Sequence, residues 1–303
     1  MRVIILGATG FIGRSLCKIL VGAGYEVVAL TRDKNKGREI LGKGIEVVEW
    51  DSKSAEGWES HANGAYALVN LIGENLASGR WTQERKKSIL ESRLNAGKAV
   101  SMAIQLAQSK PKVVIQASAI GYYSSRSDEI LDESSEPGEG FLSEVAVKWE
   151  DSTKEVEPQV RRAIIRTSPV LGRSGGILTR LIRPFRFFLG GPVGSGKQWF
   201  PWIHLDDEVG AIRFLMERED LQGAFNLTAP AQLMMKDFYH TLGKAMRRPS
   251  WLPIPGFVLR LLFGEMAQET ILSEQRVVPK RLMEAGYKFI YPKAEEALKE
   301  IFS

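Results

Sequence analysis

The chain has a single cysteine, Cys17, and only three histidines among its 303 residues. One thiol cannot close an internal disulfide or build a cysteine-rich metal site, and its place in a helix-period segment reads as a small packed hydrophobe. His61, His204 and His240 lack ligand-like spacing, so no metal centre is expected. Long apolar runs are also missing. The first, "VIIL", meets a glycine at once, and "IPGFVLRLLF" contains a proline, a glycine and an arginine. Neither a signal peptide nor a bilayer-spanning helix is therefore expected, and the chain reads as cytoplasmic with no membrane partner. No basic stripe with interleaved aromatics marks a nucleic-acid surface. The net charge of +5 comes from scattered cations that read mostly as solvated faces.

What is present is a repeating alternation. Short Val/Ile-rich runs at 2–6, 26–30, 45–49, 66–72, 112–117, 161–166 and 224–227 alternate with helix-period segments. Continuously apolar strands of this kind are covered by helices on both faces, so the expected fold class is α/β, a Rossmann-type doubly wound parallel sheet. After position 170 the texture becomes loop-rich, with "GRSGG", "LGGPVGSGKQWFPW" and "RRPSWLPIPG". The expected division is a dinucleotide-binding domain over 1–170 with a return segment at 205–228. A smaller substrate-binding domain would then comprise 171–204 and 229–303.

The first strand runs into "GATGFIG". Here Gly7 permits a tight turn, Gly10 a close backbone approach to phosphate, and Gly13 close packing of the following helix. With Thr9 in the turn, the N–H groups of Gly10, Phe11 and Ile12 would face a pyrophosphate at the positive end of that helix. The second strand ends in "ALTRDK", so Thr31 occupies the strand end and Arg32 follows. An acid at this place binds the 2′-hydroxyl of NAD, whereas a guanidinium suits the 2′-phosphate of NADP. The expected cofactor is NADP(H), with Asp33 the one opposing charge.

The glycine motif resembles that of extended short-chain dehydrogenases/reductases, the epimerase-like branch. Together with "NLIGEN", "ESRLNAGK", "SAIGYY", "FLSEVAVKWE", "GGPVGSGKQWFPWIHLDD" and "QRVVPKRLMEAGYKFIYP", it is similar to the atypical epimerase-family group with a short C-terminal domain. That resemblance implies that Leu71 and Ile72 flank the adenosine side, although both also read as core strand. It implies that Arg93 reaches the cofactor or an active-site water, unless it forms a surface salt bridge, and that the backbone at Pro169 meets the nicotinamide. Many extended members pair into homodimers through helices of the main domain.

In this superfamily hydride transfer uses a Tyr-x-x-x-Lys pair, because an unassisted phenol is poorly matched to neutral pH. Four residues after the seven tyrosines stand Ala29, Asn70, Arg126, Ser127, Gly243, Tyr291 and Glu295, so no such pair exists. The helix expected to carry it offers Phe141 and Val145, or Leu142 and Ala146, depending on register. Ser118 and Tyr122 are the remaining catalytic candidates, each with a plain structural reading as a strand-end cap or a packing group. Lys197 and Gln198 are candidates for binding a small-molecule substrate. Trp202, with Trp199, would either stack on a base or sugar ring or plug the domain interface. Asp206 or Asp207 reads as the cap of the next helix. Two functions stand: an NADP(H)-dependent oxidoreductase or epimerase with an atypical site, and a non-catalytic NADPH-responsive regulatory or scaffold protein.

Overall fold

The computed structural model describes residues 1–303. Seven parallel strands form the central sheet: β1 (Arg2–Leu6), β2 (Glu26–Thr31), β3 (Ile45–Glu49), β4 (Ala67–Asn70), β5 (Val113–Ala119), β6 (Arg161–Thr167) and β7 (Gly223–Leu227). Their order is β7-β6-β5-β4-β1-β2-β3, so the direction of winding reverses between β1 and β4. Ligands in open α/β sheets bind at such a switch point, beyond the carboxyl ends of the strands.

Each strand sends alternate side chains to opposite faces. Val3 and Ile5 join the core under α1 (Phe11–Gly22), whereas Ile4 and Leu6 join the core under α3 (Gln83–Leu106). Between these helices in the chain lies α2 (Lys34–Leu41), capped by Asp33, whose Oδ1 accepts the Lys36 N–H at 2.9 Å. The remaining long helices are α4 (Phe141–Asp151), α5 (Leu178–Arg186), α6 (Leu205–Glu217), α7 (Met235–Met246), α8 (Gly256–Phe263) and α9 (Ala294–Phe302). Cys17 is fully buried on α1, and burial pushes its thiol up to about 12, which suits a packing residue.

All seven expected strands are present. The fourth is shorter than expected, because Asn70 turns its side-chain oxygen back to the N–H of Ile72 at 3.2 Å and ends the strand. Leu71 and Ile72 therefore lie in the exit loop, although Leu71 still donates to the Leu6 carbonyl at 2.9 Å. A third apolar core gathers residues from 171–202 and 229–301, among them Phe185, Trp202, Phe238 and Leu298.

The expected Asp cap on α6 is not formed. His204 caps that helix instead, its Nδ1 accepting the Asp206 N–H at 3.1 Å. Asp207 is buried and accepts the N–H groups of Ile290 (2.7 Å) and Tyr291 (2.9 Å), which ties the C-terminal segment to the sheet layer.

Helix α3 approaches α4 through Gly97, where an added Cβ would lie 1.9 Å from Ser152 Oγ and 2.5 Å from its Cβ. Gly97→Ala should therefore destabilise the fold by about 1–3 kcal/mol. Gly22→Ala, with nothing within 4 Å, should leave stability unchanged or raise it slightly. Thermal denaturation of the two variants distinguishes them, and an equal midpoint shift in both would contradict the packing argument.

Candidate functional site

The glycine loop is built sterically for its place at the switch point. Gly7 has φ +84°, and an added Cβ would sit 3.1 Å from the Leu71 carbonyl carbon and oxygen. At Gly13 an added Cβ would lie 2.3 Å from the Gly7 oxygen, so only glycine lets α1 start this close to β1. The Gly10 N–H donates back to Gly7 O at 3.0 Å and is not free. The N–H groups of Phe11, Ile12 and Gly13 meet no protein acceptor, no side chain caps the helix, and no acid stands in its first turn. Three unmet donors at the positive end of a helix are a cradle for an anion. Thr9 stands half-buried in the turn between Gly7 and this helix start.

The Phe11 ring is a packing group. An added Cβ at Gly172, Gly175 or Gly176 would come within 2.3–2.9 Å of it, so the hairpin after β6 is shaped around the first residue of α1. At the end of β2, Thr31 is half-buried, and Arg32 is exposed without an ion pair or hydrogen bond. Asp33, the opposing charge anticipated from sequence, is occupied as the α2 cap. These residues fit a dinucleotide carrying a 2′-phosphate.

Arg93 is buried rather than in a surface salt bridge. Its Nη1 donates to Ile89 O at 2.8 Å and its Nη2 to Glu74 O at 3.3 Å, and the guanidinium lies 4.7 Å from the Trp149 ring centroid. Burial pulls its pKa down to about 10, with Glu74 opposing the shift and Arg85 adding to it. The Glu74 carboxylate pairs with Arg85 at 2.7 Å, so three of the five donors of the Arg93 guanidinium have no protein acceptor. Ser168 Oγ, beside Pro169, and Trp149 Nε1 are also buried without partners.

A polar network crosses the other side of the strand ends. Ser118 Oγ donates to Glu150 Oε1 at 2.6 Å, and Arg166 forks onto the same carboxylate at 2.9 and 3.0 Å. Arg166 also donates to Tyr123 Oη at 3.0 Å, and Tyr123 Oη donates to Asn226 Oδ1 at 2.7 Å. Burial works against the Arg166 charge, but Glu150 outweighs it and holds the guanidinium firmly protonated. The Tyr123 phenol is pushed up to about 12 by burial. Tyr122 lies flat under Arg166, its ring centroid 3.4 Å from the guanidinium carbon. Ser118 is thus committed to a structural carboxylate, and Tyr122 packs against the cation of the same network.

Both registers of the missing dyad are apolar, with Val145 and Ala146 buried on α4. The start of that helix is occupied from the smaller part of the chain: Glu269 accepts the N–H groups of Phe141 (3.1 Å) and Leu142 (2.7 Å). Of the expected substrate contacts, Gln198 is withdrawn and Trp202 takes its alternative reading as a packing group. Gln198 is buried, its Nε2 donating to Val193 O at 2.9 Å, and Trp202 is buried in the third core. Lys197 alone of that stretch remains exposed and unpaired. Nothing local singles out Glu150 or Arg166: Glu150 is one of several charged residues on an amphipathic helix, Arg166 stands near the end of a strand, and each acquires meaning only from its partner across the fold.

Glu208 was equally hidden, lying next to two ordinary-looking aspartates. It is fully buried, Thr167 Oγ1 donates to its Oε1 at 2.8 Å, and its Oε2 has no partner. Burial raises its pKa from 4.5 to about 8, against the opposing Thr167 hydrogen bond. The folded chain then holds this proton more tightly than the unfolded chain does, so Glu208 costs stability progressively as pH rises from about 4.5 to about 8. Glu208→Gln should gain thermal midpoint relative to the parent as pH rises through this window. A midpoint difference independent of pH would refute the assignment.

Residues 3–228 match the NAD dependent epimerase/dehydratase family, and residues 254–301 match a domain of unknown function, DUF1731. The chain is 35% identical over 304 residues to the human epimerase family protein SDR39U1, covering 99% of each chain. It is 36% identical over 305 residues to the epimerase family protein YfhF of Bacillus subtilis, covering 100% of this chain and 98% of that one. The crystal structure of human SDR39U1 (isoform 2) with NADPH superposes with a TM-score of 0.90 at 33% identity, covering 100% and 99% of the two chains. UDP-glucuronic acid 4-epimerase from Bacillus cereus, at 15% identity and a TM-score of 0.79 over 100% and 98%, shares the fold. By sequence and by architecture, this chain belongs to the NAD dependent epimerase/dehydratase family.

Proposed function

We propose that this chain binds NADP(H) in the groove bounded by Gly7–Gly13, Arg32 and the exit loop at Leu71 and Ile72, and applies it to a small carbonyl or nucleotide-sugar substrate. The observation that carries the reading is the conjunction at the switch point. Three open amides begin α1, and a guanidinium without a protein partner stands at the end of β2 while the adjacent carboxylate caps a helix. The amides suit a pyrophosphate and the guanidinium a 2′-phosphate. The relative crystallised with NADPH supports the same cofactor.

When bound, the nicotinamide supplies or accepts hydride, which is the chemistry of the cofactor itself. The chain's part is positioning and electrostatics. The unused donors of Arg93 polarise an oxygen beside the cofactor, and the backbone at Pro169 holds the nicotinamide. Lys197 contacts an anionic or hydroxyl group of the substrate. No tyrosine on α4 moves a proton.

A second reading, an NADPH-responsive regulatory or scaffold protein, is favoured by one observation. The proton-transfer positions of α4 are apolar, and the nearby Ser118 hydroxyl is engaged by Glu150.

Calorimetric titration of the purified protein should show NADPH binding roughly tenfold to a hundredfold tighter than NADH, and Arg32→Glu should abolish that preference. Equal affinity for the two nucleotides would sink the Arg32 assignment. NADPH oxidation with at least one member of a carbonyl and nucleotide-sugar panel is expected. Binding without turnover across the panel selects the regulatory reading.

A further inference from the structure

The outer surface of the smaller part carries aromatic and cationic groups that the cofactor site does not use. Phe187 is 75% exposed, Trp251 65%, Phe257 67% and Leu261 74%, with Phe188 beside them more than half exposed. They form one surface because their backbones are joined. Trp251 and Leu252 donate to Gly190 O at 3.0 and 3.1 Å, and an added Cβ at Gly191 would lie 2.1 Å from Leu252 O. Ile254 donates to Pro192 O at 2.9 Å and leads directly into α8, whose Phe257 and Leu261 stand one turn apart on its exposed face. An apolar patch built from several chain segments marks an interaction surface rather than scattered exposure.

Cations border it. Arg180, Arg183 and Arg186 recur every third residue on α5, immediately before Phe187, while Arg247 caps the end of α7 and Arg248 follows it, three residues before Trp251. Arg248 lies 4.7 Å from the Phe188 ring centroid. The ion pairs of the molecule lie elsewhere, so none of these five arginines is neutralised by a carboxylate.

We propose that this face docks on an anionic lipid bilayer, with Phe187, Phe188, Trp251 and Phe257 entering the interface and the arginines meeting lipid phosphates. No helix of the chain is long and apolar enough to cross a membrane, but surface binding requires no spanning helix. Aromatic side chains with a polar or cationic border suit the headgroup boundary. A second copy of the chain fits less well, because a two-fold contact through this patch brings arginine against arginine with no acid to oppose them.

The test is co-sedimentation of the full chain with phosphatidylcholine vesicles that contain or lack phosphatidylglycerol. The protein should pellet with the anionic vesicles only, less so at high salt, and its tryptophan emission should shift to the blue, a shift that Trp251→Phe removes. Each arginine near the surface contributes roughly a fivefold gain in partitioning. Arg183→Gln with Arg186→Gln should therefore lower it roughly 25-fold at an unchanged thermal midpoint. Phe187→Ser with Phe188→Ser should leave the protein in the supernatant. Failure of the parent to pellet with anionic vesicles, or equal pelleting with neutral ones, overturns the proposal. So does a dimer that the Phe187/Phe188 variant dissociates while vesicles bind nothing, which would assign the face to a second copy.

Discussion

The buried pair of Glu150 and Arg166 is the constraint around which the strand ends of this molecule are arranged. Removing two charges from water is costly, and their mutual attraction offsets that cost only when the remaining donors and acceptors are also met. Here they are met by residues from separate elements: Ser118 from β5, Tyr123 from the turn after it, and Asn226 from β7 through Tyr123. Asn226 in turn donates to Val278 O at 3.0 Å, and its own N–H meets Glu133 at 3.0 Å. One ion pair thus fixes the relative positions of α4, three strands and the C-terminal segment.

That constraint bears on chemistry. Ser118 and Tyr123 are drawn into a satisfied network that engages their protons, and the Tyr122 ring packs against its cation. Along α4 the two positions that would carry an acid/base pair are apolar in either register, and Glu269 caps the helix start from the smaller part of the chain. The opposite half of the crevice has the reverse character. At the start of α1, at Arg32 and at Arg93, donors are left without protein acceptors. The Glu150–Arg166 network is thus saturated, whereas the start of α1, Arg32 and Arg93 keep donors free.

Charge is distributed in the same divided way. Cations that pair with acids, such as Arg166, Arg162 and Arg85, hold elements together. Among the arginines without a carboxylate partner, Arg32 stands alone at the end of β2, whereas Arg180, Arg183 and Arg186 on α5 and Arg247 and Arg248 at the end of α7 border an exposed aromatic surface. A modest net charge of +5 therefore conceals one local concentration of cations, on α5 and the end of α7.

The sequence by itself determined the seven strands, their parallel winding and the glycine turn. These depend on short-range facts: runs of β-branched residues, helical periodicity, and glycine where φ is positive or a Cβ would strike backbone, as at Gly7 and Gly13. It also disclosed the absence of the tyrosine-lysine pair, because that motif is local to one helix. Only the tertiary structure decided which polar residues are free. Gln198 read as a substrate contact but is buried, Trp202 takes the packing alternative of its two readings, Asp33 read as a repelling charge but caps α2, and the role read for Asp206 or Asp207 belongs to His204. Glu150, Arg166 and Glu208 could not be singled out in advance. The state of a buried charge depends on partners brought together from distant parts of the chain, and no local pattern carries that information.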